Sequence, residues 1–404
     1  MTGAGDAVGE RRDVRMATAE ITPEMIEAMT ARIGVELRID HSVHNEEATR
    51  LAVAKFAAGI GDTNPLWTDA TYAAGTRYGC CVAPPSWVVS VFAAIQFGWE
   101  GLGAFHSASD FRFHVPVRLG DRIEATCRYD GFSGPRPSRF ARQVVVDHFT
   151  TRYTNQHGTL VAENRWDVVH FERGHVRPKE PVSSSEGKRG EVSPGWSQEE
   201  LAALEERVLA ERPRGADVRW WDDVAVGDRL DPIVKGPIGL TDEIAYIVGG
   251  GTPIPRFAAH RAALLEYRRH PAWSFRDPET GALEPIYAVH YNSQAARAMG
   301  VATQYDVGFQ RQCWQIHLLT DWMGDDGWVV QAASELRSFV HLGDVVELSG
   351  TVTEKFVDDD GEACVRIETT ARNRRGDDVM PGSAVVALPT RGSDIRPSDR
   401  RLPR

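Results

Sequence analysis

The chain has 404 residues, 42% hydrophobic and 25% charged, with a formal net charge of −11. That length exceeds one ordinary core and suits two domains of globular composition. The acidic balance argues against a nucleic-acid surface, which needs a basic face to meet phosphates. No apolar run approaches the roughly 18 residues of a membrane helix.

Residues 1–20 (MTGAGDAVGERRDVRMATAE) have no apolar core, so they read as a disordered leader rather than a secretory signal. Next come helical spacing over Ala54 to Gly61 and a turn-rich segment, Gly61-Asp62-Thr63-Asn64-Pro65-Leu66-Trp67. An apolar stretch, APPSWVVSVFAAIQF, reads as a central helix. Beyond it, RIEATCRYDGF, RFARQVVVDHFTTRYT and LVAENRWDVVHFER have the alternation of half-buried strands. A Pro-, Ser- and charge-rich linker spans about residues 175–195, and QEELAALEERVLAE over 198–211 reads as a solvent-facing helix.

The second half repeats the first. Arg118-Leu119-Gly120-Asp121 opens one strand and His341-Leu342-Gly343-Asp344 opens another, an offset of 223 in the numbering. The same offset lays Trp67 on His290 and Ala73 on Ala296. Upstream, Ala54–Gly61 resembles Ile244–Gly251 at the smaller offset of 190, so the second copy carries an insert. That insert, about 252–284, reads as a helix followed by a Pro- and Gly-marked loop. CWQIHLLTDWMG is the second central helix, and VVELSGTVTEKFV, ACVRIETTARNR and SAVVALP supply its strands.

The segments Gly61-Asp62-Thr63-Asn64-Pro65-Leu66-Trp67-Thr68-Asp69 and Pro116-Val117-Arg118-Leu119-Gly120-Asp121 resemble the MaoC-like dehydratases, which include (R)-specific enoyl-CoA hydratases. In the second half, His290-Tyr291-Asn292 with Ala295-Ala296-Arg297 looks like the continuation of the same motif. Tyr305 to Arg311 and Asp321 to Asp325 resemble a subgroup of long acyl dehydratases. The resemblance implies an α+β tandem (double) hot-dog, each half an antiparallel sheet wrapped around a central helix. On that basis residues 21–175 form a first hot-dog, of the FAS1-like dehydratase type, and 176–215 a linker with an exposed helix. Residues 216–392 form the second hot-dog, and 393–404 a tail.

The implied activity is hydration of an enoyl thioester, or the reverse dehydration, without a cofactor. It needs a base for water, an acid for the α-carbon and donors for the thioester oxygen. In the family an Asp and a His five residues later hold the water. Here the pattern breaks twice: Trp67 stands in the histidine's place in the first half, and Pro285 precedes His290 by five in the second.

Three arrangements stay open. His290 works with a substitute carboxylate (Glu284, Asp277 or Asp306), or Asp62 and His290 meet across the halves, or the chain is a non-catalytic binding or heteromeric partner subunit. A hot-dog thioesterase is a further alternative. Asn64, Trp67, Tyr291, Gly308 and Arg311 are the expected substrate-binding residues, with Arg311 and Arg256 as candidates for CoA phosphates. Asp306 is expected either to cap the second central helix or to face the thioester. No HExxH or CxxC spacing, GxGxxG, Walker or GxSxG motif occurs in supporting context, so neither metal nor nucleotide is expected. Five sparse cysteines fit a reducing cytoplasm. The expected ligand is an acyl-CoA or other acyl thioester, with no nucleic acid or membrane partner, in a homo-oligomer or a heteromer with another hot-dog protein.

Overall fold

The computed structural model describes residues 19–39, 44–93, 97–138, 141–172, 195–250, 257–271, 274–299 and 301–401. Residues 1–18 of the leader, 175–194 of the linker and Arg256 lie outside them. No described helix is long and apolar enough to cross a membrane.

The first repeat places α1 (Pro23–Thr30), α2 (Arg50–Ile60) and the short α3 (Ala70–Ala74) ahead of four strands. These are β1 (Gly103–Phe113), β2 (Ile123–Arg136), β3 (Val144–Asn155) and β4 (Leu160–Phe171). Then α4 (Gln198–Ala210), opened by a Ser197–Glu200 capping box, buries only Leu204, as its charge pattern implies. The second repeat opens with β5 (Ile233–Lys235) and α5 (Leu240–Val248). Its insert folds as α6 (His260–Arg269) and a hairpin of β6 (Ser274–Arg276) and β7 (Leu283–Pro285). After α7 (Ser293–Ala298) and α8 (Gly308–Met323) come β8 (Trp328–Glu335), β9 (Val346–Val357), β10 (Ala363–Asn373) and β11 (Gly382–Ala387).

Nine of these strands join one antiparallel sheet in the order β2-β3-β4-β1-β8-β11-β10-β9-β5. Setting β5 aside, the order is a palindrome, so the repeats meet edge to edge where β1 pairs with β8. The architecture is α+β, a double hot-dog. The offset seen in the sequence recurs in the backbone bonds. Val82 bridges Arg118, and the equivalent pair in the second repeat, Tyr305 and His341, makes the same bridge. Asp121 Oδ2 and Asp344 Oδ2 each accept from the amide three positions back, closing the duplicated Gly-Asp turns.

The helices α2 and α5 cross at equivalent glycines. A Cβ on Gly59 would lie 2.7 Å from Ala245 O, and one on Gly249 would lie 2.9 Å from Lys55 O. Each repeat thus offers the other a groove that only glycine leaves open.

One expected element differs. The second central helix forms as α8, buried on nearly every face, but the first folds only as a 3-10 helix over Pro85–Ser90. The prolines at its start are compatible with a helix, but the β-branched Val88, Val89 and Val91 crowd a helical backbone.

Candidate active site

The Gly-Asp-x-Asn-Pro segment is a sequence of backbone devices. Gly61 ends α2 in the left-handed conformation (φ 67°), and Asp62 N–H closes back on Ala57 O at 2.9 Å. Asp62 Oδ1 then accepts from Asn64 N–H at 3.0 Å, an Asx turn. Asn64 Oδ1 caps the 3-10 helix Pro65–Trp67 through Leu66 N–H, with proline at its first position. The chain reverses within this short turn, which points Asp62 inward, where its side chain is 1% exposed.

What Asp62 meets there is α8 of the other repeat. His317 and Asp321 share one helix face at i, i+4, with His317 Nε2 3.1 Å from Asp321 Oδ2. The same Nε2 lies 3.8 Å from Asp62 Oδ1. Lys235, at the end of β5, brings Nζ to 3.0 Å from His317 Nδ1 and 3.5 Å from Gly61 O. Three polar atoms around this cluster have no hydrogen-bond partner among the described residues: Asp62 Oδ2, Asp321 Oδ1 and Trp67 Nε1. The indole N–H of Trp67 stands beside the Asp62 carboxylate without closing a hydrogen bond.

Burial sets the electrostatics. It pushes Asp321 up to about 7 against the pull of Lys235, and raises Asp62 above the usual carboxylate range. Burial, then the neighbouring Lys235, lowers His317 to about 3, so the imidazole is neutral at physiological pH. Burial also lowers Lys235. Behind the cluster Asp325 ties the wall together, accepting from Asn64 Nδ2 at 3.3 Å and Tyr72 OH at 2.6 Å. A small, mainly apolar cavity lies beside this wall, lined by Asn64, Trp67, Val82, Phe113, Met323, Asp325 and Trp328.

Asp62, His317 and Asp321 offer donor atoms within 4.8 Å of one another, a grouping that no spacing in the sequence announces. As arranged, the set does not fit a cation. Its charge is balanced internally: the Lys235 ammonium already sits against the imidazole and offsets the carboxylates.

His290, the residue expected to act as base, sits elsewhere. It ends the 3-10 helix Ile286–His290, just as Trp67 ends its own. Its Nδ1–H donates to Tyr305 O at 2.8 Å, and its ring lies edge-on to Tyr287 and Tyr305. Burial lowers it to about 4.

None of the three carboxylates expected to assist His290 is paired with its imidazole. Asp306 is held by Arg311 through both oxygens, at 2.7 and 2.5 Å, and neither caps α8, whose N-cap is Val307, nor opens to a ligand. Arg311 is itself 3% exposed and also donates to Ser338 O and Val379 O, so it is a buried structural cation rather than a phosphate ligand. Asp277 accepts from Asn292 Nδ2 and from the amides of Glu279 and Thr280 in its own loop. Glu284 lies beside Tyr267 and Tyr291.

Gly308 begins α8 in close contact, since a Cβ there would meet Leu336 and His106 Nδ1 at 2.6 and 2.9 Å. Tyr291 packs against Phe257. Sequence reasoning also passes over Glu243 of α5, a fully buried carboxyl raised well above its ordinary value by burial. The Gln310 amide donates to it at 3.1 and 3.2 Å.

Comparison with known proteins agrees with this architecture. Residues 31–164 match the family model described as the FAS1-like dehydratase domain region. A solved MaoC-like dehydratase superposes with a TM-score of 0.60 at 17% identity, over 90% of this chain and 100% of that one. A UPF0336 protein of Streptomyces avermitilis is 33% identical over 88 residues, 20% of this chain and 59% of that protein. A Thermomonospora curvata protein named "Probable enoyl-CoA hydratase alpha subunit" is 27% identical over 147 residues, 31% of this chain and 44% of that protein. The chain therefore spans less than two thirds of the length of these curated relatives. The family match thus falls within the first repeat, and the likeness to the solved MaoC-like dehydratase extends over both in fold.

Proposed function

We propose that this protein adds water to, or removes it from, the α,β double bond of an enoyl thioester, and that the Asp62–His317–Asp321 cluster does the chemistry. The observation that carries the reading is the convergence of Asp62, from the dehydratase-like segment, with His317 and Asp321 of the opposite repeat, with Asp62 Oδ2 and Asp321 Oδ1 unpartnered among the described residues.

Two buried carboxyl groups this close, both raised, hold one proton between them near neutral pH. In hydration the ionised member takes a proton from water as the water oxygen bonds to the β-carbon. The protonated member gives its proton to the α-carbon, so the pair ends with the one proton it began with. Dehydration runs the same steps backwards. We assign the base to the carboxylate pair rather than to His290, which burial lowers to about 4 and whose acidic neighbour, Asp306, is claimed by Arg311.

The relative's name supports an enoyl-CoA as substrate, and its designation as a subunit supports a heteromer. The test is a panel of enoyl-CoA esters incubated with purified protein, following loss of the conjugated thioester. Turnover is expected, and Asp62→Asn should lower kcat/KM by about 10²–10⁴-fold with the fold intact. Turnover only on adding a second hot-dog chain would move the chemistry to a heteromer. Release of free CoA would mark a thioesterase, and an unimpaired Asp62→Asn would remove the cluster from the mechanism.

A further inference from the structure

Lys235 ends a three-residue edge strand that pairs with β9, yet its ammonium is set between groups from three other elements. Gly61 O and Asp62 face it from the α2 turn, His317 and Asp321 from α8, and Glu211 from the segment after α4. Glu211 Oε1 accepts from Val234 N–H at 2.5 Å, which pins the strand that carries the lysine.

An ammonium has protons to give and no lone pair to receive one. At 3.0 Å from Lys235 Nζ, His317 Nδ1 is therefore the acceptor, and the neutral ring keeps its proton on Nε2. Nε2 in turn is 3.1 Å from Asp321 Oδ2, so the imidazole donates to that carboxylate. The result is a directed relay, Lys235 to His317 to Asp321. It occupies Asp321 Oδ2 and leaves Oδ1 open. The opposite tautomer would turn an Nδ1–H toward the ammonium, two donors facing each other, and a bare Nε2 lone pair toward the ionised Asp321 carboxylate, two acceptors.

We infer that Lys235 is the positioning residue of this site: it fixes His317 as the Nε2–H tautomer and so makes Asp321, through its free Oδ1, the member of the carboxylate pair that exchanges the proton with water. This rests on the hydratase reading for its consequence, but the tautomer itself is independent of turnover. The relay moves no net proton in the resting protein; it orients the groups that do.

The test is long-range ¹⁵N–¹H correlation on protein labelled at histidine nitrogen, with the His317 signals identified by their loss in His317→Gln. At neutral pH the wild type is expected to show His317 as the Nε2–H tautomer. Lys235→Met should shift it to the Nδ1–H form or a mixture, and Lys235→Arg, which keeps a donor, should restore Nε2–H. In turnover, Lys235→Met should lower kcat about 10–100-fold with KM within about two-fold, the sign of lost transition-state positioning. A wild-type Nδ1–H tautomer, or an Nε2–H tautomer unchanged in Lys235→Met, would overturn the inference; Lys235→Leu serves if the methionine variant does not fold. Absence of turnover with the tautomer behaving as expected would sink the hydratase reading alone.

Discussion

Trp67 and His290 occupy the same place in the two repeats, yet their pockets are opposite in chemistry. Each ends a short 3-10 helix and is followed by a capping residue, Asp69 or Asn292, that starts a short α-helix. Around the imidazole stand the rings of Tyr287 and Tyr305 and a backbone carbonyl, with the Asp306 carboxylate near but paired to Arg311. Beside the indole stands Asp62, which meets His317, Asp321 and Lys235. The difference arises in what the opposite repeat sends across. The second repeat sends a 16-residue helix bearing His317 and Asp321. The first has only a 3-10 helix at the equivalent place, and its Ser86 lies beside Cys313 of α8. On the proposed assignment, a motif histidine is not enough to mark the reactive side; the partner segment decides it.

The strongest way to break this comparison is to neutralise each pocket in turn. Asp321→Asn should lower kcat/KM by about 10²–10⁴-fold, whereas His290→Ala should leave it within about two-fold. Equal losses would return His290 to the mechanism. The pH dependence sharpens the same contrast. Proton exchange through Asp321 requires its partner in the complementary state, so kcat/KM should be bell-shaped with one limb near 7. Stability follows the opposite logic to a salt-bridged carboxylate. Asp321 is raised from 3.8 to about 7 in the fold, so the folded state holds the extra proton between those values. Unfolding free energy should fall as pH rises from about 4 to 7, and Asp321→Asn should flatten that slope in chemical denaturation.

A second contrast lies at the start of the central segments. The second repeat buries the Asp306–Arg311 ion pair, and at the equivalent positions the first repeat has Ala83 and Val88, both buried. Apolar packing already does in one copy what a buried pair does in the other. Arg311→Leu alone strands the Asp306 carboxylate and should cost about 3–5 kcal/mol of stability. The double change Asp306→Ala with Arg311→Leu removes both charges and should recover most of that loss. Denaturant midpoints at constant slope read this out, and a double variant as weak as the single would mean the pair carries packing that the apolar residues cannot replace.

How much of this is legible in the sequence depends on the range of the interaction. The Gly-Asp turns and the strands they open are local devices, and the repeat offset marks β2 and β9 together. The strand β1 escapes sequence reading because GAFHSASDFRF begins small and polar, with little of the β-branched content that marks a strand. The Asp62 turn is readable residue by residue, but its partners are not. His317 and Asp321 sit in CWQIHLLTDWMG at helical spacing, a weak signal until the fold lays α8 against the α2 turn. Lys235 carries no signal at all, since a lone lysine ahead of a Gly-Pro turn reads as exposed. Asp306 reads as a cap from its position before a helix, and only the distant Ser338 and Val379 carbonyls explain why Arg311 stays there to claim it.

The helix crossing gives the finest probe of the pseudo-symmetry. Gly59 and Gly249 sit at equivalent positions of α2 and α5, and each faces the other helix's backbone. Alanine in a helix ordinarily gains up to about 1 kcal/mol over glycine. Here the added Cβ would lie 2.7 Å from Ala245 O or 2.9 Å from Lys55 O, and a backbone carbonyl cannot swing away as a side chain can. The steric term wins, and each Gly→Ala variant should lose about 1–3 kcal/mol. Because both substitutions pry at one interface, the double variant should cost less than the sum of the singles. Their effects on turnover should nonetheless differ. Gly59 lies just before Asp62 at the same helix end, so relieving its clash displaces the carboxylate directly, and kcat should fall more than for Gly249→Ala. Matched losses of stability with matched losses of kcat would mean that the α2 turn holds Asp62 in place independently of the crossing.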